Sequence, residues 1–521
     1  MVCYLRIAGA TQVNSDGDGL VLQATGMLHG NVLLHDWWDT DVSFITTELP
    51  EYMAVTAVAG VRPEVVHICS ALTYTLLVLL AAFVARGRAR GPEGVTRALL
   101  AAAVMLAPQP TGPTVVLLGS PDHVGTAVPL LALLLLLDRA QGTRAPVRWL
   151  MPACVTMLLA WTIVGDPLAE VVGVIPLVLA CLLRAVRSLA ARRTAAKASA
   201  SRTADWMRRV AGTWREAGYE VSLAAAAVIA VPVASAVNAL ITEHGGYHLG
   251  SATYHLLPRY RIERDAPMLW RSLLALFGAD YVGVTGARNV AFALVHLIGV
   301  ALVIAAVAFA AWRLIRPPGG EPLGDLVADV LVLAVLVNIA AYLLFVRIDN
   351  IYSAHEIGPV LSLGAALTGR MLGGPLLRFR LVPVLAVVLA CYAGLLMVAA
   401  TSPQRVPQSV HLATWLRQHH LHSGLAPYWQ ASSVTVDSGG RITMLAVQSR
   451  GKHHRLSPYP WETNEQLADP AAHTANFAVI VPGPKISRKL AVRTFGKPAR
   501  TYRFESYVIM VWDENLLDKL G

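Results

Sequence analysis

Ten long apolar runs follow one another between residues 66 and 401, and no other feature limits the fold of this chain so strongly. They fall at about 66–86, 95–108, 124–138, 149–165, 167–184, 220–242, 289–312, 325–346, 356–369 and 380–401. A helix crossing a bilayer needs roughly 20 predominantly apolar residues. In lipid such a segment must also satisfy its own backbone hydrogen bonds. The runs therefore read as transmembrane helices, the second, third and ninth being short. Composition agrees: 15% of residues are charged, against about 25% in an ordinary soluble domain.

The connections between runs alternate in charge. RGRARGPEGVTR, RAQGTRAPVR, RAVRSLAARRTAAKASASRTADWMRR, RLIRPPGGE and GRMLGGPLLRFR are basic. Between them lie PQPTGPTVVLLGSPD, a tight Gly-Asp-Pro turn at 165–167, EHGGYHLGSATYHLL…GARN and RIDNIYSAHE. Cytoplasmic loops carry the Lys/Arg excess of a membrane protein. The alternation therefore places residues 1–65, the less basic loops and residues 402–521 outside. It also accounts for the net charge of +10 without a nucleic-acid partner. MVCYLRIAGATQ is too short and polar for a signal peptide. An external N-terminus then calls for a further helix upstream, eleven in all. The five cysteines suggest neither a disulfide framework nor a metal pair.

Residues 402–521 change character. HLATWLRQHHL reads as a helix, and SSVTVDSGGRITMLAV as a hairpin turning at Asp-Ser-Gly-Gly. ANFAVIVPG and YRFESYVIMVWD each read as one strand. The expected architecture is a first external loop over 1–65 with an amphipathic helix, an all-α polytopic membrane domain over 66–401, and a small α/β extracytoplasmic domain over 402–521.

The external loops hold the chemically unusual residues. The first carries Asp16, Asp18, His29, His35, Asp36, Asp39, Asp41, Glu48 and Glu51, with Trp37 and Trp38. Carboxylates there can serve as a general base or hold a metal against a phosphate; a solvated loop with tryptophan anchors has the same composition. Asp122 and His123 lead straight into an apolar run, a pair suited to proton transfer, metal ligation or helix capping. Asp166 reads as a turn and cap residue. Arg259, Arg261 and Arg347 can meet an anionic phosphate, although Arg347 can equally pair with Asp349 or Glu356. His355 stands beside Glu356 at a run's mouth. Tyr428, Trp429, Trp461 and the pair His453-His454 give the C-terminal domain aromatics of the sort that contact carbohydrate or fill a core.

One stretch carries a family resemblance. Asp16-Gly17-Asp18-Gly19-Leu20…Gln23-Ala24…Met27-Leu28-His29-Gly30-Asn31 resembles the first external loop of GT-C glycosyltransferases, chiefly the protein O-mannosyltransferases of family 39 and the aminoarabinose transferases. In those an aspartate opens an amphipathic helix, and a Pro-Pro-Leu-type turn follows. Thr47-Glu48-Leu49-Pro50-Glu51-Tyr52 occupies the place of that turn. Over nearly its whole length the chain also resembles a group of uncharacterised actinobacterial membrane proteins sharing SDG…MLHGN, DVSFxTTELP, PDHxGT and GLAPYWQASSVTVDSGG. The resemblance implies a polyprenyl-phosphate-sugar-dependent transferase acting on an envelope acceptor at the outer face. It places the catalytic base on Asp16, with Asp18 as alternate because the match is Asp-Gly-Asp and not Asp-Glu. Asp122 resembles the superfamily's second-loop acidic residue. Glu48 and His123, with Arg259, Arg261 and Arg347, are the expected substrate contacts. His123 resembles a residue of metal-dependent oligosaccharyltransferases over too short a stretch to imply a metal, so no cofactor is expected, a divalent metal being compatible with the residues but not supported.

Two other functions share this pattern. A transporter or flippase of lipid-linked glycan would set ionisable residues or broken helices at mid-membrane, whereas these acids sit at the external mouths of the runs. A non-catalytic scaffold of the same fold is compatible with every residue.

Overall fold

The computed structural model describes residues 1–521 except 12, 109–113, 120–121, 142–144, 199–202, 251–253, 283, 317–323, 451–454 and 482–485. Among the described residues eight helices are long and apolar enough to cross a membrane. They are Glu64–Arg86, Arg148–Gly165, Glu170–Ser188, Ala217–Glu243, Asn289–Ile315, Leu326–Phe345, Ile351–Arg378 and Val382–Ala399. The chain is thus a multi-pass membrane protein.

The two other expected runs also form helices, but short ones: Gly91–Met105 has 15 residues and Ala127–Ala140 has 14. At 1.5 Å per residue each spans only about 22 Å, less than the roughly 30 Å of a hydrocarbon core. Both pack inward, against Glu64–Arg86 and the helix Gly358–Arg378. That last helix, the ninth run, is longer in space than its apolar stretch suggests. Arg370 interrupts the apolar pattern, yet it lies buried between Asp138 and Asp325, so the helix continues past it as the most enclosed of the eight spans.

Outside the spans, Ser15–Leu28 forms the expected loop helix. The Asn14 side chain caps it by accepting from the Gly17 amide at 3.2 Å, and it stops before His29-Gly30. A second loop helix, Leu49–Ala59, carries Pro50 in its first turn, where proline is tolerated.

Among the described residues nine strands complete the fold: β1 (Trp37–Asp39), β2 (His248–Leu249), β3 (Ser423–Ala426), β4 (Thr443–Arg450), β5 (Arg455–Pro458), β6 (Thr463–Asn464), β7 (Phe477–Ile480), β8 (Arg500–Phe504) and β9 (Tyr507–Val511). The C-terminal sheet runs β5-β4-β3-β7-β9-β8. Two sequence expectations change here. SSVTV is not the first strand of a hairpin but part of the helix Tyr428–Asp437. Strands β3 and β4 are parallel, with Gly424 opposite Met444, and parallel neighbours need a crossover rather than a tight turn. Gly439 and Gly440, at φ 69° and 75°, reverse the chain after that crossover helix instead of within a hairpin. YRFESYVIMVWD is two strands, β8 and β9, turning at Glu505.

A small second sheet joins the distant parts. Strand β1 of the first loop lies between β2 and β6, pairing Trp38 with His248 and with Thr463. Around it the Glu465 amide donates to the Asp36 carbonyl at 2.7 Å, and Trp38 Nε1 donates to the Glu465 carboxylate at 2.8 Å. Ser15 Oγ donates to the Tyr428 carbonyl at 2.7 Å. These bonds tie the C-terminal domain to the head of the loop helix.

Candidate active site

Two cavities meet where the first loop, the span mouths and the C-terminal domain converge. One, about 340 Å³, is polar: Asp16, Asp41, Asp122, His123, His355, Glu356 and Glu462 face it beside a row of aromatic rings. The other, about 480 Å³, is a groove between helices, walled by Val171, Ile175, Val337, Ala341, Leu344 and Phe345. Asp41, Val42, His123 and Glu356 line both, so the apolar groove opens onto the acids.

Asp16 stands in the first turn of the loop helix, where a carboxylate complements the helix dipole. Its Oδ2 accepts from Asn14 Nδ2 at 2.6 Å. The Tyr428 hydroxyl lies 2.5 Å from Asp16 Oδ1 and 2.5 Å from Glu462 Oε2. One hydroxyl proton cannot be donated to two carboxylates at once, so Asp16 and Glu462 compete for it. Burial, aided by the Asp122 charge, pushes Asp16 up to about 7 against the opposing pull of the Tyr428 bond. Burial holds Glu462 well above the usual range, and the charge on Asp16 adds to this. Burial and mutual repulsion thus favour protonation of both carboxyl groups.

His123 adopts φ 56°, a left-handed conformation uncommon outside glycine. Its Nδ1 lies 2.8 Å from Asp166 Oδ2. Asp166 is itself fixed by the Thr126 hydroxyl and by the Leu168 amide at 2.9 Å. The turn role expected for Asp166 is therefore joined to a second one, orienting the imidazole. Burial alone would lower His123, but the Asp166 carboxylate and its hydrogen bond, with Glu356 and Asp122, raise it well above the ordinary histidine value.

A ligating atom from each of His123, His355 and Glu356 lies within 4.8 Å of the others. The imidazoles of His123 and His355 are parallel, 5.6 Å apart, and His123 Nε2 is 3.8 Å from Glu356. A histidine whose far nitrogen bonds a carboxylate is the usual support for a ligand at the other nitrogen. Two nitrogens and one oxygen suit a zinc- or iron-class cation better than calcium. The residues present thus fit a divalent ion, although the sequence led to no cofactor being expected.

The remaining expected site residues are placed as follows. Asp122, half-buried, lines the polar cavity with Asp16. Asp18 turns away, buried against Ser433 and Asp437 of the crossover helix, where burial raises it well above the carboxylate range. Glu48 is buried behind the site near Tyr52 and Cys69, and burial pushes it up to about 8. Arg259 pairs with Glu263 at 2.8 Å, and Arg347 with Asp349 at 2.9 Å, both exposed. Arg261 leans over Tyr260. None of the three arginines lines either cavity, and among the described lining residues there is no lysine or arginine. His453 and His454 lie outside the described residues. Glu462 was not foreseen: it follows Trp461 in an irregular segment, and no spacing marks it.

No family model and no curated protein matches this chain. Solved structures similar to it include the following three. The Archaeoglobus fulgidus oligosaccharyltransferase tethered with an acceptor peptide gives a TM-score of 0.46 at 13% identity, covering 90% of this chain and 65% of that one. The chain therefore spans just under two thirds of that enzyme's length. ArnT from Cupriavidus metallidurans gives 0.44 at 15% identity in the apo state, covering 100% and 97% of the two chains. The same protein bound to undecaprenyl phosphate gives 0.43 at 15%, covering 98% and 95%. Both proteins belong to the GT-C superfamily of membrane glycosyltransferases.

Proposed function

We propose that this chain is a membrane glycosyltransferase that moves a sugar from a polyprenyl-phosphate donor to an envelope acceptor, with Asp16 as general base. The junction of the two cavities carries the reading. An apolar groove of about 480 Å³ suits a prenyl tail, and it ends at a polar chamber holding a carboxyl group poised near neutrality. A general base works best when its pKa lies near the operating pH.

In this reading Asp16 removes the acceptor's hydroxyl proton. The acceptor oxygen then bonds to the anomeric carbon, and the bond from that carbon to the phosphate oxygen breaks. The electron pair leaves with the polyprenyl phosphate, and the anomeric centre inverts. Asp122, beside Asp16, keeps its pKa from falling. Asp166 holds the His123 ring at the cavity floor. A divalent ion held by His123, His355 and Glu356 would supply positive charge to a phosphate in a chamber whose described lining has carboxylates but no lysine or arginine. The distribution of basic loops supports an external position for the chamber and for the whole of 402–521, with the membrane domain over 66–401.

The test is transfer by the full chain in lipid nanodiscs, supplied with polyprenyl-phosphate sugars and envelope acceptors. Asp16→Asn is expected to lose at least about 10²-fold in turnover while still binding polyprenyl phosphate. Unchanged turnover in the variant would overturn the role of Asp16. Absence of transfer by the parent with every donor would favour a scaffold.

A further inference from the structure

Beside the acids the C-terminal domain lines the polar chamber with aromatic rings. Trp429, Tyr428, Tyr459 and Trp461 form a continuous row, with centroids 5.1, 5.6 and 6.2 Å apart in that order. Tyr459 and Trp461 are nearly parallel, inclined by 13°. Tyr428 is buried and bonded to Asp16, yet Trp429, the next residue of the same helix, is 51% exposed, and Trp461 is 38% exposed. Rings placed to fill a core would not stay open to this degree. Tryptophans anchoring a bilayer interface would face lipid, whereas these share a chamber with Asp16, Asp122 and Glu462.

The chamber therefore offers flat apolar faces on one side and hydrogen-bond acceptors on the other. A peptide brings amide groups of both kinds and side chains that want shaped pockets. A sugar ring brings an apolar C–H face that stacks on an aromatic ring and a rim of hydroxyl donors that bond carboxylates. Successive rings in a row suit a chain of such units. About 340 Å³ leaves room for more than one of them.

We infer that the acceptor is carbohydrate: a glycan chain lying along Trp429, Tyr459 and Trp461, with the hydroxyl of its terminal sugar at Asp16. This names the acceptor class of the site described above and rests on the transferase reading. It gives the C-terminal domain a second task. The segment that supplies Tyr428 and Glu462 to the base also supplies the surface that selects what the base attacks.

Saturation-transfer NMR on the full chain in nanodiscs tests this with mannotetraose, arabinotetraose and galactotetraose, and with a threonine-rich peptide. Binding of undecaprenyl phosphate is measured in parallel. At least one tetrasaccharide should bind. The double variant Trp429→Ala/Trp461→Ala should weaken it by about tenfold or more while undecaprenyl phosphate binding persists, which shows that the variant is folded. Asp16→Asn should retain the sugar. The inference is overturned if no tetrasaccharide binds, if the peptide binds in its place, or if the double variant binds sugar as the parent does. Sugar binding without undecaprenyl phosphate binding would remove the donor assignment and leave the carbohydrate cleft standing; the reverse would remove the cleft alone.

Discussion

At the scale of single residues, the proposed base Asp16 depends on its contact with Tyr428, whose hydroxyl also meets Glu462. The Tyr428 hydroxyl favours the ionised form of Asp16, and removing it disfavours that form. Tyr428→Phe should therefore shift the acid limb of the pH–rate profile upward from about 7, by about one to two pH units for a lost charge-assisted bond. An unmoved limb would show that the tyrosine does not act through Asp16. The same burial has a sign for stability. A carboxyl whose pKa rises on folding from 3.8 to about 7 favours the folded state while protonated, and that advantage is lost as pH climbs through this window. Asp16→Asn should thus melt above the parent at pH 8, and the gap should close towards pH 4. Such a pattern places the cost of the base in the fold itself. Asp16, Asp122, His123 and the Tyr428-Trp429 pair were all legible as candidates from sequence. Glu462 was not, because a carboxylate in an irregular segment has no periodicity to mark it. The arginines failed for a related reason: charge in a loop predicts a side of the membrane, not a direction for the side chain.

Among elements, the loop helix Ser15–Leu28 matters because it carries Asp16 on a backbone pressed against a span. A methyl group at Gly17 would meet Val66 Cγ1 at 2.8 Å, closer than such atoms pack. Alanine improves helix propensity by about 1 kcal/mol over glycine, and overpacking costs about 1–3 kcal/mol, so the clash should prevail. Gly17→Ala is expected to lower the melting temperature and, by lifting the helix N-terminus, to reduce turnover with donor binding retained. A variant more stable than the parent would show that the two helices can separate freely. This helix was readable from the resemblance of Asp16…Asn31 to a loop in which an aspartate opens an amphipathic helix. The crossover helix Tyr428–Asp437 was not, since Ser-Ser-Val-Thr-Val has strand propensity and only the parallel pairing of β3 with β4 requires a helix there.

Across the whole molecule, the bundle separates chemistry at one end from cohesion at the other. The candidate site lies where the span Leu326–Phe345 ends and Gly358–Arg378 begins. Near the opposite ends of these helices, Arg370 joins Asp138 and Asp325 and donates to the Val84 carbonyl at 2.7 Å. Removing one partner of a buried ionic group strands the rest and costs about 3–5 kcal/mol, whereas replacing the whole group with apolar residues of similar volume is often neutral. Arg370→Met should therefore destabilise the chain strongly, and Arg370→Met/Asp138→Leu/Asp325→Leu should recover much of the loss. Because Arg370 lies near the end of Gly358–Arg378 away from the candidate site, the folded fraction of each variant should keep the parent's acid limb near pH 7. Thermal melts give the first quantity and pH–rate profiles the second. A shifted limb in Arg370→Met would mean that the two ends of the bundle are coupled, and that the cluster also tunes the base.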